Sequence, residues 1–493
     1  MRQRFEQQFK IGTLQISDTK ISTKTRDAQP KLALALLQLF NTPEYNEQLF
    51  VILEDKIIGH KQSTGRPGMD LWQIFVMAMF RMTLDLTYDR LHTMANNDKM
   101  LRQLLGIESE SGFEVVTVGY QTIKDNVGLL TDDFLREISA IVVEFGNKEV
   151  FKKKEAEALC LKMDSFVAKN NVHYPTDYNL LFDCANKCLK STSWFSIKYS
   201  NDFLGWRKNK DWHRELKIKM RILGQSIGSK GKYRETNILN AATDYLQKAV
   251  LLDKKVKKSL EELQSICTTL ADYKKYFELE KYSNYLSKHI DLTQRRLIDK
   301  ETIPHHEKMF SVFETYTEWI NKGKQNPSFE LGKRFTITTN QFGLIQDYEI
   351  MNKITDSEVV ITITDRILSK NKIKSISFDK GYYSKENKEL LQLEIEMVVL
   401  PKKGKCNKKE LEEESQADFK KLRKKHSAIE SNINELTHRG LDKCPDKGEA
   451  HFDRYLILGV IAFNLHKIGN QILINLKAQE KNQLEKAKLL NAA

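Results

Sequence analysis

The first part of the chain carries apolar residues three and four positions apart, the spacing that places them on one face of an α-helix. The pattern is clear in KLALALLQLF from Lys31, in LWQIFVMAMFRM from Leu71 and in TYDRLHTMA from Thr87. Asp70 and Thr131 stand just before such runs and are predicted N-caps, because their side chains accept hydrogen bonds from the first helical turn. The pattern therefore predicts an all-α N-terminal region.

This region also contains candidate contacts with DNA. Several short helices joined by turns can hold a helix-turn-helix, whose second helix lies in a DNA groove. Ahead of the second run, the stretch STGRPG places Arg66 between Gly65 and Pro67. These neighbours hold the backbone extended, so that Arg66 can enter a minor groove; the alternative is an ordinary loop before a helix.

The periodicity changes in the rest of the chain. Residues 157–170 (EALCLKMDSFVAKN) predict a strand, and helical spacing then returns from Asn186 to about Glu307. Strands dominate after that, in MFSVF, RFTITTN, LIQDYEIM, IKSISF and EMVVL, with two helices between them. This order builds a mixed sheet covered by helices, followed by one long charged helix from Glu410 to His438.

These patterns predict a multidomain protein in which an α/β mixed-sheet core is interrupted by a helical insertion. A chain of 493 residues is too long for a single core. We divide it into a helical N-terminal domain at 1–150, a mixed-sheet domain at 151–190 and 307–470, a basic helical insertion at 191–306 and a helical tail at 471–493.

The net charge and the cysteine content indicate which kind of partner the protein binds and in which cell compartment it is expected. Lys and Arg outnumber Asp and Glu by 79 to 66, which gives a net charge of +13 and favours a polyanion as partner. Apolar runs such as Tyr455 to Leu465 fall short of the ~20 residues that cross a bilayer, which favours nucleic acid over a membrane. The start lacks a signal peptide's apolar stretch, and six scattered cysteines without a CxxC pair argue against a disulfide frame. We expect a cytoplasmic protein with no membrane partner.

The positive charge is concentrated in one segment. Between Lys187 and Val250 there are 14 Lys or Arg against 5 Asp or Glu, so this segment carries +9 of the +13. Trp194, Trp206 and Trp212 lie among these basic residues, a mixture that suits phosphate neutralisation with base stacking. The alternative is a helical subdomain with buried tryptophans and a solvated basic face. The candidate DNA contacts here are Arg207, Lys208, Lys210 and Arg214.

Acidic residues lie in or at the ends of predicted strands. Asp164 is in the first strand, and Asp379 ends the strand IKSISF, where Gly381 gives a sharp exit. If these strands are neighbours, both carboxylates emerge on one side of the sheet. Glu430 belongs to the helix after the last strand, and His426 lies one turn earlier on the same face. Any single acid is more often a surface charge, so spacing alone does not select these three.

A cluster of these three acids would imply a specific chemistry. Unneutralised carboxylates repel one another, so their convergence implies bound cations, and oxygen ligands without a Cys or His cage favour Mg2+ or Mn2+. Two such ions can activate a water or a 3′-hydroxyl and stabilise the leaving oxygen of an in-line displacement at phosphorus. Such chemistry suits a basic protein.

The residues around the three acids resemble the ISNCY group of bacterial insertion-sequence transposases. The matching stretches are MDSFVAKNNVHYPTD around Asp164, HEKMFSVFETYTEWINKGK from His306, FDKGYYSKENKELL around Asp379 and KKHSAIESNINELTHRGLDKCPDKG around Glu430. They occur in the family's order. Similarity also extends over GRPGMDLWQIF and DRYLILGVIAFNLHKIG, and it covers residues 187–300 poorly.

The resemblance implies a ribonuclease-H-like core with a DDE triad at Asp164, Asp379 and Glu430. These residues would be the catalytic groups and the ligands of two Mg2+ or Mn2+ ions per active site. His426 would donate to a scissile phosphate or orient Glu430, with a helix-surface histidine as the alternative. Lys380 and the tyrosines after it follow the second aspartate closely enough to touch a nucleotide, and packing is the alternative for Tyr382 and Tyr383.

The implied function is that of a transposase associated with the bacterial nucleoid. Its N-terminal helices would bind the terminal inverted repeats of the element in double-stranded DNA, and the acidic site would cleave them and transfer the strand to target DNA. Because two ends must be joined, we expect a homodimer or a larger synaptic assembly. The alternatives are a transposase-derived DNA-binding regulator with an idle site and a metal-dependent endonuclease without joining activity.

Overall fold

The protein divides into two compact units. The structure is a computed structural model that describes residues 2–6, 12–59, 68–110, 113, 115–154, 156–200, 202–203, 205–321 and 328–492, with side chains up to residue 486. One unit, called the sheet unit below, comprises Met1–Asn171 and Glu318–Ala493. The other, called the helical unit, comprises Val172–Thr317. The four-part division drawn from the sequence stays a prediction.

Helices and strands follow one another in the order helical region, strand, helical unit, mixed sheet. The helices are α1 (Ala28–Phe40), α2 (Pro43–Leu53), α3 (Leu71–Thr83), α4 (Tyr88–Asn97), α5 (Lys99–Leu104), α6 (Tyr120–Val127), α7 (Asp132–Phe145), α8 (Asp177–Lys198), α9 (Asn209–Gly228), α10 (Arg234–Ile266), α11 (Leu270–Leu297), α12 (Asp356–Leu368), α13 (Lys385–Glu394), α14 (Lys408–Ser415), α15 (Ala417–His426), α16 (Ala428–Leu436) and α17 (Glu449–Ala492). The strands are β1 (Leu159–Asn170), β2 (Glu318–Asn321), β3 (Phe329–Thr339), β4 (Ile345–Met351), β5 (Ile373–Phe378), β6 (Met397–Val399) and β7 (Lys443–Cys444).

The predicted helical N-terminal region is confirmed. Asp70 begins α3 in a capping box with Gln73, and Thr131 is the N-cap residue of α7. The apolar faces of α1, α3 and α7 pack against α17. By length and composition α17 could cross a membrane, but 78% of its apolar window is buried inside the protein. This burial is that of a central core helix, which explains the apolar run from Tyr455 to Leu465 in the first half of α17.

One glycine permits the closest of these helix contacts. A Cβ atom built on Gly469 of α17 would lie 1.7 Å from the backbone oxygen of Lys31 in α1. The two backbones therefore approach more closely than any larger residue allows. The predicted turn at Gly343 is also present, with φ at +80°, in the hairpin that joins β3 to β4.

Within the part of the chain that the structure describes, the seven strands named above form one mixed sheet, as predicted. Its central path is β2-β3-β1-β5-β6, with β4 paired to β3 and β7 paired to β1. β3 is antiparallel to β1, β2 and β4, whereas β5 is parallel to both β1 and β6. The helical unit is inserted in the chain between β1 and β2.

The two faces of the sheet carry different helices. Leu161 and Met163 of β1 pack with Val359 and Ile363 of α12 in one apolar cluster. Because side chains alternate along a strand, the intervening residues of β1 point to the opposite face. On that face α16 contacts β1 and α15 contacts β5.

Two local predictions are wrong. The MFSVF segment is not a strand, because the Ser311 hydroxyl accepts hydrogen bonds from the backbone N–H groups of Phe313 and Glu314 and holds a turn. The long charged helix from Glu410 to His438 is instead three helices, α14, α15 and α16. The first break is at Gln416, whose ψ of 143° is extended, and the second is at Ser427.

Candidate active site

Asp164 and Asp379 lie beside each other on two parallel strands. β1 and β5 are hydrogen-bonded neighbours, with Met163 opposite Phe378 in the register. The next residue on each strand is an aspartate, at the point where β5 ends. The structure therefore brings together two acids that are far apart in the chain.

Glu430 approaches the same place from a helix. Side chains alternate along β1, so Asp164 and Met163 point to opposite faces of the sheet. Met163 packs with α12, and Asp164 is on the face that α16 covers. Glu430 is in the first turn of α16 and is exposed, as is Asp379, whereas Asp164 is half-buried. The arrangement combines one shielded carboxylate with two that solvent can reach.

Burial and the charges of the other acids act on the carboxyl group of Asp164. Burial, together with the negative charges of Asp379, Asp356 and Glu430, raises the pKa of Asp164 to about 6. A hydrogen bond from the backbone N–H of Ser165 to Asp164 Oδ1, at 2.7 Å, acts in the opposite direction. Nearby positive charge would be needed to keep this carboxyl fully ionised near neutral pH.

The donor set of this cluster fits a hard divalent cation, but the side chains do not form a finished coordination site. Asp164, Asp379 and Glu430 would each offer carboxylate oxygens, the ligands that Mg2+ and Mn2+ prefer. Among the residues described, no three His, Cys, Asp or Glu side chains are disposed to hold a metal ion. The fit to a divalent cation therefore rests on the chemistry of the three carboxylates and on their positions on β1, after β5 and on α16.

His426 connects the last turn of α15 to β5. Its Nδ1 lies 3.0 Å from the hydroxyl of Ser377, two residues before Asp379. Its Nε2 is buried and has no hydrogen-bond partner among the described residues. Burial lowers the pKa of His426, while Asp379 and Glu430 raise it and Lys162 lowers it. The ring is therefore within the electrostatic range of both acids, and it is not a free surface histidine.

Sequence reasoning missed two charged residues in this region. Lys162, on β1, is half-buried, and burial lowers its pKa, with a smaller effect from Lys425. Asp356 begins α12, and its charge also reaches Asp164. The only signal for Lys162 was a lysine between apolar strand residues, and the only signal for Asp356 was a helix start.

The residues after Asp379 separate into an exposed cation and buried packing groups. Lys380 is exposed. Tyr382 is 1% exposed, and its ring centroid lies 5.8 Å from that of Phe378. Tyr383 is half-buried and packs against the same core. Packing is thus the alternative that the structure shows for both tyrosines.

The basic candidates of the helical unit are on its surface. Arg207, Lys208, Lys210 and Arg214 are exposed, around the start of α9, and Arg214 pairs with Asp211 at 3.0 Å. Arg66 of the N-terminal region lies outside the described residues.

The tryptophans of the helical unit are packing residues. Trp206 is 2% exposed, and its indole N–H donates to Ser259 at 3.0 Å. Trp194 and Trp212 are half-buried against the same core. Lys248 Nζ lies 3.9 Å from the centroid of Trp212. The burial of the tryptophans agrees with a helical subdomain that packs them inside, and the exposed basic residues stay predicted DNA contacts.

A comparison with known protein families points to the same class of enzyme as the three acidic residues. Residues 291–465 match the family model described as Transposase DDE domain. The matched span includes Asp379 and Glu430 and begins after Asp164. No curated protein and no solved structure is significantly similar to the chain. The family match supports a transposase of the DDE superfamily, and hence an enzyme that acts on DNA.

Proposed function

We propose that the chain is an ISNCY-type DNA transposase that uses Asp164, Asp379 and Glu430 to cleave the terminal inverted repeats of its element and join them to target DNA. The observation that carries the proposal is the placement of Asp164 and Asp379 side by side on β1 and β5, with Glu430 close enough to raise the pKa of Asp164. The family match over residues 291–465 supports the same class of enzyme.

The sheet topology supports a ribonuclease-H-like core. In the order β4-β3-β1-β5-β6, the first three strands are antiparallel neighbours and the last three are parallel. One acid is on the first strand of the sheet, another directly follows β5, and the third is on a helix after β6. This distribution is the one that the resemblance to DDE enzymes implies.

The same three carboxylates would hold two Mg2+ or Mn2+ ions, since their donor set fits these cations. Bound divalent cations would supply Lewis-acid stabilisation of the attacking and leaving oxygens at phosphorus. Asp164 is the shielded carboxylate, fixed by the N–H of Ser165, whereas Asp379 and Glu430 face the solvent from which a phosphodiester arrives.

Neighbouring side chains would orient the site and neutralise phosphate. His426 holds α15 to β5 through Ser377, and this contact fixes the helix that precedes Glu430. Lys380 is exposed beside Asp379, and Lys425 is exposed beside His426. Both are placed to contact the backbone of bound DNA.

DNA binding would be shared between the two units. The N-terminal helices would recognise the inverted repeats, and the exposed basic residues of the helical unit would neutralise phosphates without reading sequence. Joining two ends requires two active sites, so the working form would be a homodimer or a larger assembly.

Cleavage of labelled element ends in Mg2+ tests the triad. We expect Asp379→Asn to reduce cleavage about a thousandfold or more, because several kcal/mol of transition-state stabilisation is lost. End binding should persist. Asp365→Asn removes the same charge from an exposed position on α12 and should leave cleavage unchanged. Full cleavage by Asp379→Asn would refute the triad.

The products of the same reaction separate the proposed function from its alternatives. A transposase yields both cleaved ends and joined products with a target plasmid. Cleavage without joining would identify an endonuclease, and retention of the ends without cleavage would identify a DNA-binding regulator.

Salt dependence tests the basic surface of the helical unit. Replacing Arg207, Lys208 and Lys210 by Gln should reduce the slope of log affinity against log salt by roughly 0.9 for each phosphate that is no longer neutralised. The triple replacement of Lys254, Lys257 and Lys258, which are exposed on α10, removes the same charge elsewhere on this unit. Equal slopes for the two triple variants would contradict a specific role for the start of α9.

A further inference from the structure

Asp356 contacts the residue next to Asp164. The Ser165 hydroxyl donates to Asp356 Oδ1 at 2.9 Å, and Asp356 Oδ2 lies 3.4 Å from the guanidinium of Arg334 on β3. Only 21% of the Asp356 side chain is exposed. Ser165 points to the α12 face of β1, whereas Asp164 points to the other face. Asp356 therefore supports β1 from behind the acidic cluster.

Asp356 also lies near the turn that follows Asp379, which α12 packs against. A Cβ atom on Gly381 would lie 3.5 Å from Asp356 Oδ2. Tyr382, in the same turn, is buried, and its hydroxyl lies 3.4 Å from Thr336 Oγ1. The same hydroxyl interacts with Ser165, and the negative charge of Asp356 helps to raise the pKa of Tyr382. One carboxylate thus binds the residue after Asp164 and lies close to Gly381, two residues after Asp379.

The helix itself does not require this carboxylate. The N-terminus of α12 is capped by Thr355 and Glu358, which form a reciprocal capping box. Glu358 Oε2 accepts from the backbone N–H of Thr355 at 2.6 Å and from its hydroxyl at 2.7 Å. Asp356 has no part in this capping box, and its carboxylate instead accepts a hydrogen bond from Ser165 of β1 close to the turn after β5.

We propose that Asp356 is a positioning residue that fixes the separation of Asp164 and Asp379 through Ser165 and the turn at Gly381. The inference rests on the proposed function, since it assigns Asp356 to the same metal-dependent site. Asp356 is not itself a ligand, because its two oxygens are engaged by Ser165 and Arg334 behind the strands. Groups that orient metal ligands from behind typically change metal affinity tenfold or more when removed.

Calorimetric titration with Mn2+, without DNA, tests this role directly. We expect Asp356→Ala to weaken Mn2+ binding by about tenfold or more. Asp356→Asn retains an oxygen that can accept from Ser165 and should recover much of the affinity. DNA-end affinity should stay at the wild-type value, whereas cleavage at saturating DNA should fall in parallel with Mn2+ affinity.

Glu358→Ala is the matched control for folding. It removes an acid two positions away on the same helix and breaks the capping box, so it should lower the melting temperature while keeping Mn2+ affinity within about twofold of wild type. A folded Asp356→Ala protein that binds Mn2+ like the wild type would overturn the positioning role. Equal weakening in Asp356→Asn and Asp356→Ala would also overturn it, since that result indicates a ligand.

A double-mutant cycle tests the connection through Ser165. If Asp356 acts through this hydroxyl, the variant with both Ser165→Ala and Asp356→Ala should bind Mn2+ no more weakly than Asp356→Ala alone. Additive losses would overturn the connection. Absence of Mn2+ binding and cleavage in the wild type would refute the proposed function and this inference together, whereas unchanged Asp356 variants of an active wild type refute the inference alone.

Discussion

Acid should destabilise the helical unit through His289. This residue of α11 is fully buried, and neither ring nitrogen has a hydrogen-bond partner among the described residues. Burial lowers the pKa of His289 to about 4, although the charge of Asp177 opposes the shift. In the unfolded chain a histidine has a pKa of about 6.5. Between these values the unfolded chain binds a proton that the folded protein excludes.

The sign and size of the effect follow from the two pKa values. Because the folded pKa is the lower one, the contribution of His289 to stability is complete above about pH 6.5 and is lost as the pH falls towards 4. Between pH values of about 7.5 and 5, this difference amounts to about 2 kcal/mol. The full loss, reached near the folded pKa, is about 3 kcal/mol.

Urea unfolding followed by tryptophan fluorescence measures this loss. Three of the five tryptophans, Trp194, Trp206 and Trp212, are in the helical unit, so the signal reports mainly on it. We expect His289→Leu to reduce the pH-dependent loss by about 2 kcal/mol, because no proton is excluded. His213→Gln, a half-buried histidine of α9, should retain the loss. A His289→Leu protein as acid-sensitive as the wild type would refute the reasoning.

Two further predictions concern the core of the sheet unit. Gly469→Ala should lower the free energy of unfolding by about 2 kcal/mol or more, measured in thermal or urea unfolding, because the added Cβ would meet the backbone of α1. Gly228→Ala is the control: a Cβ at this position meets nothing within 4 Å, so the variant should be as stable as the wild type. Asp446→Asn should cost about 3 kcal/mol in urea unfolding, because Asp446 pairs at 2.8 Å and 3.3 Å with the buried Arg81 and Arg454. A loss within about 0.5 kcal/mol, the range of ordinary surface substitutions, would contradict either prediction.

Local periodicity was sufficient for most of the fold. The helical N-terminal region, the strand around Asp164, the hairpin at Gly343 and the alternating helices and strands after it were all predicted from apolar spacing and turn residues. The errors arose where the backbone departs locally from the conformation that apolar spacing predicts. The Ser311 turn replaced a predicted strand, and Gln416 and Ser427 broke a predicted helix.

The candidate site was only partly accessible from the sequence. The three acids were selected by resemblance, and the assignment of Asp164, Asp379 and Glu430 as catalytic ligands stays a prediction. The sequence gives no sign that Asp356, a residue at an ordinary helix start, accepts a hydrogen bond from Ser165 on β1 and lies near the turn after β5. His426 and Glu430 were predicted on one face of a single helix, but the break at Ser427 places them on α15 and α16, and the contact of His426 with Ser377 was not foreseen.

The sequence by itself determined which segments are helices and strands, where the charge is concentrated and which family the acidic motifs resemble, because these properties depend on residues close together in the chain. Only the tertiary structure decided that β1 pairs in parallel with β5, although the helical unit separates these strands in the sequence. It also decided that α12 packs on one face of this pair, whereas α15 and α16 cover the other face. Such contacts join distant segments, and their geometry is set by packing, which local periodicity does not encode.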